Sequence, residues 1–372
     1  MRLKHRVVPA LFAFAATGCG ARDTGSAAAE VVLDVPGWRM ERAASVGGAD
    51  AGENEMLYHA NEVYEDPEGR FYVINFGDRR IQVFDSAGIF LRNVGRKGKG
   101  PGEFTSPMSV AAVGTDGLWV LDGVPARFIR YRRSTGEYAD DVPFEAKQLI
   151  PLRMLVGRDS RVAVEFMSML TNTTQFVTTT MVAWVDTTTG RPTPVVQFDS
   201  TAKLRHNQRT PTGTRSMVTD PPFAPRAVWA PDGRGGVLYG DGAEYVLHRA
   251  VTGAPPVVAF RGDGRPAAVT AEDRRQFLGS PRGKAFADYD FPGHKPFFSG
   301  LSVDDEGLVW VLRPGESGAQ AWEARHPDGR RVGELRVPAG SRVMAVTRRS
   351  VSVVETDDLE VETLHRYRLI RG

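Results

Sequence analysis

Six residues recur at matching places in a repeated pattern, and their types could do chemistry together: Asn75, Asp122, Glu165, Tyr239, Arg313 and Glu355. Each closes or follows a short apolar run. Asn75, Asp122, Glu165 and Glu355 would make an oxygen-rich set of the kind that a hard divalent cation such as Ca²⁺ takes, with Arg313 as an adverse neighbour. The structural reading of the same residues is that an Asp or Asn at a strand end ties down its own turn by side-chain to backbone hydrogen bonds. A second group is basic: Arg79, Arg80, Arg96, Lys97, Lys99, Lys203, Arg205, Arg209 and Arg215. These would serve recognition of an anionic partner such as a polysaccharide, a lipid head group or an acidic protein, or they are solvated surface.

Other chemistry is missing from the chain. There is no G-x-S-x-G, no H-E-x-x-H and no pair of cysteines for zinc or redox work. Gly95 to Gly102 is rich in Gly and Lys but lacks the order of a phosphate-binding loop, so it reads as a connector. Asn172-Thr173-Thr174 fits a glycosylation sequon and equally fits a Thr-rich strand. No catalytic residue and no cofactor is assigned. Ca²⁺ or another divalent cation is the alternative.

The elements that must position these residues are strands. From Gly69 to Pro107 the chain reads as three short strands, 70–75, 80–85 and 89–94, followed by a Gly-rich exit loop. A Gly- or Ser-containing turn feeding an apolar run then recurs six times: before FYVIN, LWVLD, RVAVE, the run to Tyr239, LVWVLR and VSVVE. A later strand closed by a Gly turn follows in the first five units, as in FDSAG, YRRSTG and VDTTTG. Units of roughly 40–50 residues with about four strands each predict an all-β chain, a six-bladed β-propeller of four-stranded antiparallel blades. The alternative is a pair of β-sandwiches with coincidental turns.

The last unit lacks a clear fourth strand. Val31 to Val35 is available to supply it and so to close the ring without an exposed edge. Two insertions interrupt the blades. Residues 200–223 are polar and strand-poor, hence a long loop, while Thr270-Ala271-Glu272-Asp273 opens one short helix near 270–278 with a capping box. In such a blade the second strand ends on the face where the fourth strand leaves for the next blade. That connector face would carry the candidate residues, both insertions and the Gly-rich loop, and function in propellers sits in loops on a rigid scaffold.

V-I-N-F-G-D-R-R-I-Q-V-F (73–84) and V-L-D-G-V-P-A-R-F-I-R-Y (120–131) resemble the NHL repeat, clearly over about 59–145 and weakly afterwards. By that resemblance Asn75 and Asp122 stand at the family's Asp position, and Arg80 and Arg127 at its Arg. The N-terminus resembles a bacterial lipoprotein signal: basic Arg2, Lys4 and Arg6, an apolar run from Val7 to Ala16, then Thr17-Gly18-Cys19. Cys19, the single Cys of the chain, would be the lipid attachment site.

The domain reading is therefore a signal peptide over 1–18, a tether over 19–30 and a propeller over 31–372. The expected location is the cell envelope, lipid-anchored to the outer membrane and facing the periplasm. Net charge of +2 over 372 residues is too balanced to suggest nucleic acid. The expected role is that of a monomeric binding or scaffold module for a protein, carbohydrate or other anionic partner. The alternative is a metal-dependent hydrolase or lyase, since lactonase-like propellers carry a carboxylate site at the mouth.

Overall fold

Apolar runs of strand length, each bounded by an Asp-Gly type of turn, fold here as antiparallel sheets set around a central channel. The computed structural model describes residues 30–371 apart from 146–148, 172–175, 200–203, 211–212 and 281–282. Val31–Gly372 cluster as one unit. Blade one is Ala60–Glu65, Phe71–Asn75, Arg80–Phe84 and Phe90–Val94. Blade two is Pro107–Val113, Gly117–Gly123, Ala126–Arg132 and Tyr138–Pro143. Blade three is Leu149–Val156, Val162–Thr171, Phe176–Val185 and Pro192–Asp199. Blade four is Val228–Pro231, Val237–Gly240, Val246–Val251 and Ala254–Arg261. Gly300–Val303, Val309–Pro314, Gln320–Arg325 and Arg331–Val337 build blade five, and Ser341–Val346, Ser350–Thr356 and Glu362–Arg371 build blade six. The fold is a six-bladed β-propeller.

The apolar runs are continuous because second strands have both faces covered. In blade one Tyr72 and Ile74 pack with Val110, Val120 and Ile129 of blade two. The alternate residues Phe71 and Val73 pack with Val354 and Leu364 of blade six. Every one of Phe71–Asn75 is buried. Equivalent cores lie between the other neighbouring blades, the last between five and six through Trp310, Leu335, Val353 and Tyr367. At roughly 1.5–3 kcal/mol for each large apolar side chain fully buried, these interfaces are the main stabilising term.

Ring closure differs from the sequence expectation. Val32–Asp34 pairs with Arg331–Val337 and adds a fifth, outermost strand to blade five. The strand that completes blade six is Trp38–Gly47, which pairs with Glu362–Arg371 from Trp38↔Arg371 to Gly47↔Thr363. Its inward residues Ala44 and Val46 are buried and its outward ones exposed, as an outermost strand requires. A turn at Gly37, φ +76°, lets one segment serve both blades.

The insertion at 200–223 is also not the strand-poor loop expected from its polarity. Leu204–Thr210 and Gly213–Thr219 form an antiparallel hairpin outside the blades. The helix does form, over Ala271–Gly279, with the expected capping box: the Asp273 amide donates to the Thr270 hydroxyl and the Thr270 amide to Asp273.

On the face of the short turns, contacts tie the turns of different blades together, mostly those of neighbours. Arg158 of blade three donates to the Asp305 carbonyl of blade five at 3.0 Å. The Arg348 amide of blade six donates to Asp305 at 2.9 Å, and Arg349 donates to the Pro67 carbonyl at 2.5 Å. Arg133 reaches Asp66 of the preceding blade at 3.2 Å.

Candidate ligand cavity on the connector face

Asn75 is fully buried, and its carboxamide accepts from the Tyr58 amide at 2.9 Å and donates to the Met56 carbonyl at 2.9 Å. Asp122 accepts from the Ser106 amide at 2.6 Å and the Thr105 amide at 3.3 Å. Both residues thus fasten the segment that enters their own blade. The paired arginines do the same on the other side, Arg80 donating to the Glu53 carbonyl and Arg127 to the Glu103 carbonyl, each at 2.9 Å. Burial raises the Asp122 pKa against the opposing effect of these amides and of Arg127.

Arg313 is engaged by Glu323 at 2.8 Å and by the Arg265 carbonyl at 2.8 Å, and lies over the Tyr245 ring at 5.1 Å. Glu355 faces His365 at 3.4 Å. Among the described residues no three His, Cys, Asp or Glu side chains come together to hold a metal ion. The oxygens of Asn75 and Asp122 are already committed to main-chain amides, so the candidate set does not converge as a Ca²⁺ cage.

Glu165 and Tyr239 are the two of the six that meet in one place. Both line a cavity of about 680 Å³ spanning blades three, four and five. Its walls are the second-strand residues Glu165, Met167 and Tyr239, with Phe198 from a fourth strand and His248 from a third. Ser299 and Gly300, at the start of blade five, close the far side. Ends of second and fourth strands and starts of first strands define the connector face, so the cavity opens there. Glu165 accepts from the Trp229 indole nitrogen at 2.8 Å. Arg153, its cross-strand partner, lies over the Trp229 ring at 6.0 Å. Tyr239 stacks on His248, ring centres 5.4 Å apart, with Phe198 tilted against it at 5.1 Å. Burial raises the Tyr239 pKa, so the phenol stays protonated near neutrality.

Arg153 also links the cavity to the channel. Its charge acts on Glu62 of the first strand of blade one, which accepts from the Val110 amide at 3.1 Å. Burial pushes the Glu62 carboxyl up to about 7, opposed by Arg153, the Val110 amide and the Ser109 hydroxyl. Ser109 in turn accepts from the Met154 amide at 3.0 Å.

The sequence reading missed Glu62, Arg153, Trp229 and His248. For the first two the available signal was a charge within a first strand, Arg153 in LIPLRMLV and Glu62 in ANEVYE.

Of the basic residues, Arg80 pairs with Asp78 at 3.2 Å and Arg96 with Glu103 at 2.8 Å. Lys97 and Lys99 are exposed on the Gly-rich loop, and Arg79 takes a left-handed backbone, φ 53°. Arg205, Arg209 and Arg215 lie on the hairpin, where the backbone register sets Gln208 opposite Arg215 and Arg209 opposite Thr214. Cys19, Lys203 and the 172–174 sequon lie outside the described residues.

Comparison with known proteins agrees with this architecture. A family model described as "6-bladed beta-propeller" matches residues 57–153. A Bacteroides fragilis NCTC 9343 protein described as exported superposes with a TM-score of 0.52 at 11% identity, over 92% of this chain and 97% of its own. A member of the DUF4221 family from Bacteroides vulgatus ATCC 8482 superposes with a TM-score of 0.51 at 9% identity, over 92% and 99%. Among curated proteins none matches the chain by sequence. At these identities the likeness is one of fold.

Proposed function

With the six-bladed β-propeller as premise, we propose that this chain is a membrane-anchored, extracytoplasmic binding module whose ligand seat is the connector-face cavity. The observation that carries the reading is the cavity itself. About 680 Å³ of space between blades three, four and five is walled by aromatic rings and carboxylates of blades three and four and the loops beside them, on the face opposite the short turns. Ligand sites have this make-up, a preformed concavity with a few convergent polar groups. The pairing of Arg80 and Arg96 with neighbouring acids shifts weight from the basic loops to the cavity. Anchoring rests on the signal-like start and on Cys19 as the acylated residue. Among the described residues no helix is long and apolar enough to cross a membrane.

The test is a thermal-shift screen of small polar compounds, repeated on two variants. Compounds that stabilise the wild type should lose their effect in Glu165→Gln/Tyr239→Leu and keep it in Lys97→Glu/Lys99→Glu. Stabilisation that survives the cavity changes and vanishes with the loop changes refutes the cavity as the seat.

A further inference from the structure

The linings of two adjoining cavities suggest the chemical class of the ligand. Building on the cavity as the ligand seat, we propose that it takes an organic cation carrying an apolar substituent.

The first support is charge. Carboxylates Glu165, Asp241 and Glu244 line the cavity against two guanidinium groups, Arg153 and Arg226, while Asp220 lines it too but is already engaged. Both arginines are engaged, Arg153 with the Trp229 ring and the charge of Glu62, and Arg226 as donor to the Ser299 carbonyl at 3.3 Å. Glu165 uses one oxygen on the Trp229 indole, and Asp241 uses one on the Ala243 amide at 2.9 Å. Among the described residues the second oxygen of each accepts no hydrogen bond. The Arg261 guanidinium reaches Glu244 only at 3.8 Å, with both side chains exposed. The resulting field favours a positive guest.

The second support is the aromatic wall. The half-buried rings of Tyr239, His248 and Phe198 pack together on one side of the cavity. The negative face of an aromatic ring attracts a cation, most strongly where water is partly excluded.

The third support is a second chamber of about 370 Å³ that shares Asp220, Arg226 and Ser299 with the first. Its other walls include Pro221, Phe223, Phe277, Phe286 and Pro296. All come from the two insertions, outside the blade strands. Phe223 of the first insertion packs on Phe277 of the second at 6.0 Å, and Phe277 on Phe286 at 5.1 Å. Lys295 also lines this chamber, but it is buried against Asp273 at 2.7 Å, so its charge is cancelled. The two insertions thus build an apolar room beside an acidic one. A neutral polyol or an anion would leave one of the two features unused.

Benzyltrimethylammonium is the probe, with benzyl alcohol and benzenesulfonate as neutral and anionic counterparts and tetramethylammonium as the cation without an arm. Titration calorimetry on the purified protein at low and physiological salt should show benzyltrimethylammonium binding at least tenfold tighter than the alcohol or the sulfonate. Glu165→Gln and Tyr239→Leu should each weaken it by about tenfold, the scale of one charge or one ring contact. Phe223→Ala should remove its advantage over tetramethylammonium and leave tetramethylammonium unchanged. Melting curves identify any variant that fails to fold. Glu244→Gln, at an exposed side chain, gives an independent reading with an expected weakening of about threefold.

Equal or tighter binding of the alcohol or the sulfonate, lost in Tyr239→Leu, overturns the cationic class and leaves the cavity as the seat. Cation binding that is indifferent to Glu165→Gln and Glu244→Gln, or no binding of the cation, also overturns the inference. An unchanged advantage in Phe223→Ala overturns the apolar arm.

Discussion

Glu62→Gln should make the protein more stable at neutral and alkaline pH and leave its stability unchanged in acid. Glu62 sits on the innermost strand of blade one, and burial raises its carboxyl from 4.5 to about 7. The folded state therefore holds a proton that the unfolded chain has already released between these two values. Wherever the native state binds more protons, stability falls as pH rises. The contribution of this group is thus full below about 4.5, is lost progressively to about 7, and stays lost above it. At about 1.4 kcal/mol for each tenfold change in proton affinity, the rise is worth about 3 kcal/mol. The residue is only half-buried, which lowers the expected figure to about 1–2 kcal/mol.

Glutamine keeps an oxygen to accept from the Val110 amide but never ionises, so it removes the loss. Urea unfolding of both proteins from pH 4.5 to 8.5 measures the difference. The two should coincide near pH 4.5 and diverge by about 1–2 kcal/mol in favour of the variant by pH 8. A difference that is flat with pH would show that Glu62 ionises at no cost and refute the reasoning.

Deleting residues 1–35 should lower stability modestly, because Val32–Asp34 only covers the edge of blade five. Deleting 1–47 removes the closing strand of blade six and should abolish cooperative unfolding; equal melting of the two truncations would contradict the closure. Cys19→Ser should release the protein from the membrane fraction and reduce the mass of the mature chain by its acyl groups. A wild type found unacylated and soluble by fractionation and intact mass sinks the anchor.

The repeat, the blade number and the capped helix were legible in the sequence for a physical reason. A second strand such as Phe71–Asn75 is covered on both faces, so its composition is forced to be apolar along its whole length. The turn before it needs a residue tolerant of a left-handed backbone, as at Gly69 with φ +83° and Ser160 with φ 62°. The Asn75–Arg80 and Asp122–Arg127 pairs were visible too, since each fastens the segment just before its own blade and so recurs at fixed spacing.

What only the tertiary structure decided concerns residues released from those constraints. An outermost strand has one wet face and one open edge, so WRMERAASVG carries little apolar signal and still closes the ring, while the more strand-like VVLDV lands on blade five. The hairpin Leu204–Thr210 and Gly213–Thr219 stands outside the blades, and its composition is that of a loop. The cavity is further still from the sequence. Glu165, Tyr239, His248 and Ser299 belong to three blades and stand over a hundred residues apart at the extremes. They share one wall because the sheets curve round a common channel, and no spacing along the chain encodes that curvature.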